Sequence, residues 1–340
     1  MARLTISASR IWVRSGVVLE DASITCEDAV IVEVREGAPR LAAGEHLAVH
    51  GFLLPAAADR HVHIGLSDAV AVLRAGVTAV RDLAWPVERI LPMAQLSETP
   101  AFEGPLIRAA GPMITAPGGY PTRAGWAPEG TGLEVTADGA AAAIDDLAER
   151  GVAAIKVSLN AEAGPTPDDA TLLAIVDAAH RHDLPVTAHA QGAGQVERAL
   201  GAGIDELAHT PWTRLPDDVV SQAAQRLRFV STLDILSFGA DTPELRTALD
   251  NLRRFLAAGG EVVYGTDLGN GSIPPGIHVR ELLLLREAGL DPDGVLGALT
   301  RAPLEAGAPA DLIVLAADPL EDLHAFERIA AVFRGGIRVT

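Results

Sequence analysis

A single cysteine, Cys26, in 340 residues excludes a disulfide framework. It stands between Thr25 and Glu27 in a strand-like run, where it reads as a small buried apolar side chain rather than a reactive thiol. Basic residues are also scarce: 27 Lys and Arg face 45 Asp and Glu, for a formal charge of −18. Nucleic acid and anionic membrane surfaces, both gripped through Lys and Arg, are therefore excluded as expected partners. No apolar run approaches the roughly 20 residues of a membrane span, and Leu282 to Leu285 belongs to an amphipathic helical pattern. The opening MARLTISASRIWVRSG lacks the apolar stretch and cleavage site of a secretory signal, so a cytoplasmic location is expected. What remains, 49% hydrophobic and 21% charged, is ordinary globular material, enough for one large α/β barrel or two average domains.

The ends and the middle of the chain differ in texture. LTISASRIWV, VVLEDASITC and AVIVEV near the start are short β-branched runs separated by polar turns, and DLIVL and AVFRGGIRV near the end repeat that pattern. Gly335-Gly336 has the form of a hairpin turn. Between residues 53 and 289, short apolar runs alternate with Ala- and Leu-rich helical stretches. Strands are expected to end near Arg60, Asp82, Ala109, Ser158, His189, His209, Thr232 and Thr266. Helices are expected at 68–75, 87–97, 136–150, 167–182, 195–202, 217–226, 242–258 and 277–288. Eight such units predict a (β/α)8 TIM-like barrel over 53–304, with a small β-sandwich domain built from 1–52 and 305–340. A doubly wound sheet fits less well, since no GxGxxG turn follows the first strand. The stretch 111–132, rich in Gly and Pro, reads as a lid or specificity wall on the catalytic face.

Five residues with metal-ligand chemistry fall at carboxyl ends of expected barrel strands, where barrel enzymes keep their active sites. His61 and His63 close the first strand, and residues two apart on a strand point the same way, as two ligands of one ion must. The same HxH spacing at His180 and His182 lies in a helical stretch, where the rings diverge, and reads as solvated surface. His189 ends the fifth strand, His209 the sixth and Asp267 the eighth. Lys156, on the inward face of the fourth strand with Ala154 and Ser158, has two readings. It either pairs with Asp267, or its neutral amine has taken up CO2 to form a carbamate, which burial beside cations would favour. With two divalent ions present the carbamate offsets their charge, whereas an ammonium would be repelled by both. An unmodified Lys156 therefore implies one metal at most.

The combined motifs GFLLPAAADRHVHIGL, RAGVTAVRDL, GPLIRAAGPMITAPGG, AIKVSL, TAHAQG, DELAHT, YGTDLG, IHVRELLLLREAGL and PADLIVLAADPLED resemble the binuclear-metal branch of the amidohydrolase superfamily. Within it the chain is similar to the imidazolonepropionase-like subgroup that includes Xaa-Pro dipeptidases and N-acyl amino acid hydrolases. The resemblance implies that His61, His63 and Asp267 hold one ion, His189 and His209 a second, and carboxylated Lys156 bridges them. It implies two divalent ions, with zinc expected and manganese or cobalt acceptable to such donors. It also implies that a metal-bridging hydroxide cleaves an amide bond of a dipeptide or N-acyl amino acid, with Asp267 passing the proton to the leaving nitrogen. The partner is then a small-molecule substrate, and because relatives are often multimeric a homo-oligomer is compatible.

The chain departs from many relatives at Gly118-Gly119-Tyr120, where they read GGH, and in a short segment TRAPLEAGAPADL before the β domain. Tyr120 either donates a hydrogen bond to a bound carbonyl or carboxylate, counting it with Asp267 and Lys156 as catalytic, or it packs. Tyr120, Arg123, Trp126, Trp212, Asp234 and Asn270 are candidates for substrate contact, Arg123 as a guanidinium suited to a carboxylate. His278 opens a helix and reads as structural. The rival readings are a single-metal hydrolase or deaminase of a heterocyclic ring, a lactone or carbamate hydrolase, and a barrel scaffold without activity.

Overall fold

The structure is a computed structural model that describes residues 3–39, 44–99 and 101–340. Its order follows the two textures of the sequence. Both ends of the chain form one seven-stranded sheet, in the order Ile337–Arg338, Ile329–Arg334, Leu312–Leu315, Glu45–Pro55, Arg3–Arg14, Val17–Glu27 and Val30–Glu36. Arg3–Arg14 runs parallel to Glu45–Pro55 and antiparallel to Val17–Glu27. Gly335 and Gly336 make the expected hairpin turn, both at positive φ. The inward side chains Ile6, Ile11, Ile24, Ile31, Leu53, Leu312 and Phe333 form a core of their own, joined by Cys26 at 2% exposure. Burial pushes the Cys26 thiol up to about 11.

The expected boundary at residue 52 falls inside a strand. Glu45–Pro55 continues through it, and Gly51 is what allows the close approach of the neighbouring strand, since a Cβ there would sit 2.4 Å from the Leu315 carbonyl.

The middle of the chain builds two parallel sheets. One has the order Glu261–Val263, Arg228–Val230, Glu206–Leu207, Val186–Gln191, Ile155–Asn160, Met113–Thr115 and Gly132–Glu134; the other pairs Ala57–Val62, Val77–Asp82 and Leu106–Ala109. Backbone hydrogen bonds link them. Ala153 N–H donates to the Ala109 carbonyl at 2.7 Å. On the other side, Arg60 N–H donates to Tyr264, Asp267 N–H to His61, and His63 N–H to Leu268, at 3.0, 2.8 and 2.7 Å. All six residues of Ile155–Asn160 are buried, as expected of a parallel strand covered on both faces.

The helices lie where the periodicity puts them: Ala69–Arg74, Val87–Ser97, Ala137–Glu149, Asp169–Arg181, Gln195–Ala202, Asp217–Arg226, Pro243–Ala257 and Val279–Glu287. Several start on a side-chain cap, with Asp68, Asp168 and Thr242 accepting from first-turn amides. A further helix, Pro292–Leu299, capped by Asp291, was not expected. The third strand is also broken, into Leu106–Ala109 and Met113–Thr115, around the Ala110-Gly111-Pro112 step. Among the described residues no helix is long and apolar enough to cross a membrane.

Candidate active site

The strand Ala57–Val62 delivers His61 and His63 to the same side, and the turn after Glu261–Val263 swings Asp267 toward them with a left-handed φ of 57°. The two imidazole Nε2 atoms lie 3.3 and 3.1 Å from Asp267 Oδ1, all three residues being buried. Their ligand atoms fall within 4.8 Å of one another. Each ring is oriented from behind. His61 Nδ1 donates to the Ala208 carbonyl at 2.8 Å, and His63 Nδ1 to the Ala84 carbonyl at 3.2 Å. A carbonyl can only accept, so both Nδ1 atoms carry the proton and both Nε2 lone pairs face inward.

Burial holds His61 well below the usual histidine range. Burial also opposes charge on His63, but Asp267 and Asp82 reverse this and raise it. Asp267 loses solvation too, yet the surrounding imidazoles keep its carboxyl well below the ordinary carboxylate range. Asp267 Oδ1 is a buried oxygen with no hydrogen-bond partner. Two inward imidazole nitrogens and one orphaned carboxylate oxygen, with their outer shell already satisfied, fit a divalent metal ion.

His209 stands 4.6 Å, centroid to centroid, from both His61 and His189. Its Nδ1 meets Thr232 Oγ1 at 2.9 Å, which again leaves Nε2 free. His189 has the opposite arrangement. Its Nε2 lies 3.1 Å from Gln191 Oε1 and 3.2 Å from Asn160 Nδ2, leaving Nδ1 for the site. Burial lowers His189 to about 4.

Lys156 is completely buried on Ile155–Asn160, and its Nζ has no hydrogen-bond partner. The ion pair with Asp267, one of the two readings of this lysine, is not formed. Burial pulls the amine down from 10.5 to about 7, with the charge of Asp267 acting in the other direction. Neutral amine is therefore accessible near pH 7.

Aromatic side chains wall the cluster. The Trp126 ring lies 4.9 Å from His63, Tyr120 lies 5.5 Å from His189, and Trp212 lies 6.0 and 5.9 Å from His189 and His209. Trp126 Nε1 donates to the Tyr120 hydroxyl at 3.2 Å, and burial raises that phenol to about 12, so its own proton stays available to donate. Asn270 Nδ2 donates to Asp267 Oδ2 at 3.0 Å. Among the described residues, neither Arg123 nor Asp234 makes a hydrogen bond to the cluster. Arg123 is exposed and makes no hydrogen bond or ion pair among the described residues. The Asp234 carboxylate is consumed by its own surroundings, accepting from His278 Nε2, Arg280 Nε and Ser237 Oγ at 2.7 Å each and from Gly239 N–H at 3.0 Å. His278 therefore has the structural partner expected of a helix-opening residue.

Three residues that matter to this geometry were not singled out from sequence. Asp59 accepts from His61 N–H at 3.0 Å, from Thr266 N–H at 3.1 Å and from the Thr266 hydroxyl, tying the strand of His61 to the turn of Asp267. Burial raises its carboxyl to about 7 against those bonds. Asn160 and Gln191 flank His189. The signal for all three was strand parity: Asp59 lies two before His61, Gln191 two after His189, and Asn160 four after Lys156.

The Amidohydrolase family model matches residues 52–339. The chain belongs to the amidohydrolase family. It is a metal-dependent hydrolase acting on C–N bonds, with the α/β, TIM-barrel type of fold of its structural neighbours. No curated protein sequence matches it significantly. Among solved structures, it is similar to a Xaa-Pro dipeptidase with methionine bound in the active site, at 21% identity and a TM-score of 0.84, covering 99% of both chains. The A. niger ochratoxinase matches at 20% identity and a TM-score of 0.84, over 99% of this chain and 95% of that one. Phenylurea hydrolase B matches at 17% identity and a TM-score of 0.83, over 99% and 96%.

Proposed function

We propose that this amidohydrolase cleaves the amide bond of a dipeptide or N-acyl amino acid with two divalent cations, zinc in the first instance. His61, His63 and Asp267 would hold one cation, His189 and His209 the other, and Lys156, carboxylated by CO2, would be shared between them. The observation that carries this reading is Lys156: a fully buried amine without a hydrogen-bond partner, set among the histidines and shifted toward neutrality. Neutral amine and CO2 give a carbamate and a proton, which turns an uncharged buried amine into an anion suited to a site for two cations.

When bound, the cations lower the pKa of water and polarise the substrate carbonyl. The chain does the rest. The Asp267 carboxylate takes a proton from the attacking water and returns it to the leaving nitrogen, while Asn270 holds its other oxygen. Tyr120, its oxygen already accepting from Trp126, directs its proton to the substrate carbonyl or carboxylate. Trp126 and Trp212 exclude bulk water and offer apolar faces to the acyl side. The neighbouring dipeptidase with bound methionine supports an amino acid product.

The hydrogen bonds from Ala153 to Ala109 and from Arg60, His63 and Asp267 across the other seam support a closed eight-stranded barrel. The terminal strands, joined in one seven-stranded sheet rather than two facing ones, then serve as the small β domain, with Glu45–Pro55 crossing the junction. Metal analysis of the zinc- and bicarbonate-loaded protein, with a screen of dipeptides and N-acyl amino acids, tests the proposal. Two equivalents and amide turnover are expected; one equivalent, or turnover confined to heterocyclic rings or lactones, would overturn it.

A further inference from the structure

We propose that Glu281 is a positioning residue for the metal centre, acting on His209 through Thr232. This rests on the two-cation reading, in which His209 is a ligand. The rings of His61 and His63 are each aligned by a backbone carbonyl, a partner fixed by the strands themselves. His209 is different: its Nδ1 is aligned by a side chain, Thr232 Oγ1, at 2.9 Å. A hydroxyl aligns a ring only as well as its own residue is held.

Thr232 is held in an unusual way. Its φ is +41°, a left-handed backbone that a β-branched residue adopts only when its surroundings over-determine it. Glu281, 1% exposed in the first turn of Val279–Glu287, supplies that constraint. Its carboxylate accepts from Leu233 N–H at 2.8 and 3.0 Å and from Asp234 N–H at 2.9 Å, the two amides directly after Thr232. The Ser231 hydroxyl, directly before Thr232, donates to the Gly265 carbonyl at 3.1 Å. Thr232 N–H itself donates to the Gly265 carbonyl at 3.0 Å. Glu281 thus grips the chain directly after the strained residue while the Gly265 carbonyl holds it from before, and the gripped residue delivers one hydroxyl to one imidazole. Glu281 makes no hydrogen bond to any of the six proposed ligands, so its influence on the centre runs through that threonine.

The test compares the parent with E281Q, T232V and T232S in competition between zinc and a chelator, with metal counted after dialysis. The parent should show two equivalents of distinct affinity. E281Q offers one acceptor oxygen where the carboxylate has two, and T232V keeps the branch but loses the hydroxyl. Both should weaken the second equivalent on the order of 10- to 100-fold, the range for outer-sphere partners, and leave the first unchanged. T232S should retain parent affinity. Cobalt-loaded samples give a second readout, because the visible absorption of the second ion should change in E281Q and T232V alone. If E281Q does not fold, E281D, which keeps both acceptor oxygens on a stem one methylene shorter, takes its place and should weaken the second equivalent in the same direction, while the T232V and T232S pair tests the link from Thr232 to His209. A parent that binds one equivalent overturns the two-cation reading and this inference with it. A parent that binds two, alongside a folded E281Q or a T232V that binds both as tightly, overturns this inference alone.

Discussion

Replacing Lys156 with methionine should stabilise the metal-free, CO2-free protein near pH 7, and the gain should vanish as pH rises. The side chain is completely buried, and its amine is pulled from 10.5 to about 7. At about 1.4 kcal/mol per pH unit, that difference amounts to about 5 kcal/mol of cost for an ammonium in this place. Between pH 7 and 10.5 the unfolded chain carries the proton and the folded chain does not. The unfolded state therefore binds more protons, and stability of the parent rises with pH throughout that window. Lys156→Met removes the titrating group and keeps an unbranched apolar stem. Urea unfolding in CO2-free buffer with a chelator should show the variant more stable by about 4 to 5 kcal/mol at pH 7. The gap should shrink by about 1.4 kcal/mol per pH unit and close near pH 10. A gap that stays constant from pH 7 to 10 would mean that the amine titrates as it does in the unfolded chain, and the argument for a neutral, CO2-reactive lysine would fail.

Asp267→Asn should lower kcat by about 10²- to 10⁴-fold on any amide substrate, measured at matched metal content, and an unchanged rate would remove Asp267 as the proton carrier. Asp59→Asn leaves the His61 and Thr266 amides with one shared acceptor and sets an amide N–H against the Thr266 hydroxyl. It should cost about 1–3 kcal/mol in thermal or urea unfolding and reduce bound metal. Full stability with full metal content would show that the Asp59 bonds are dispensable. Cys26, its thiol raised to about 11 by burial, should resist disulfide-exchange reagents at pH 8 until the protein is unfolded; rapid reaction of the native chain would contradict its place in the terminal core.

Much of this was legible because the strongest signals are local. Alternation along a strand shows in His61 and His63, helical spacing shows in Asp217–Arg226, and the contrast with His180 and His182 follows from the same geometry. Those two histidines are indeed surface residues, paired with Asp205 and Asp145. What stayed hidden depends on segments far apart in the chain. Asp234 follows a barrel strand and reads as a substrate contact, but its carboxylate is claimed by His278 and Arg280, more than forty residues onward. Glu281 sits in a leucine-rich helical run that reads only as amphipathic, and its partners belong to another unit altogether. Strand Glu45–Pro55 escaped because Gly51 interrupts its apolar pattern where the Leu315 backbone passes closest. Pro292–Leu299 was overlooked because eight helical units already completed the count.

Glu45–Pro55 ends only one residue, Ala56, before Ala57–Val62 begins, and the Ala56 amide is itself bonded to the Asp311 carbonyl at 2.9 Å. There is no slack at that joint. A disturbance of the terminal sheet is transmitted along a nearly continuous extended segment to the imidazoles at its far end, so trimming the chain to its catalytic half would loosen the anchor from which His61 and His63 are hung.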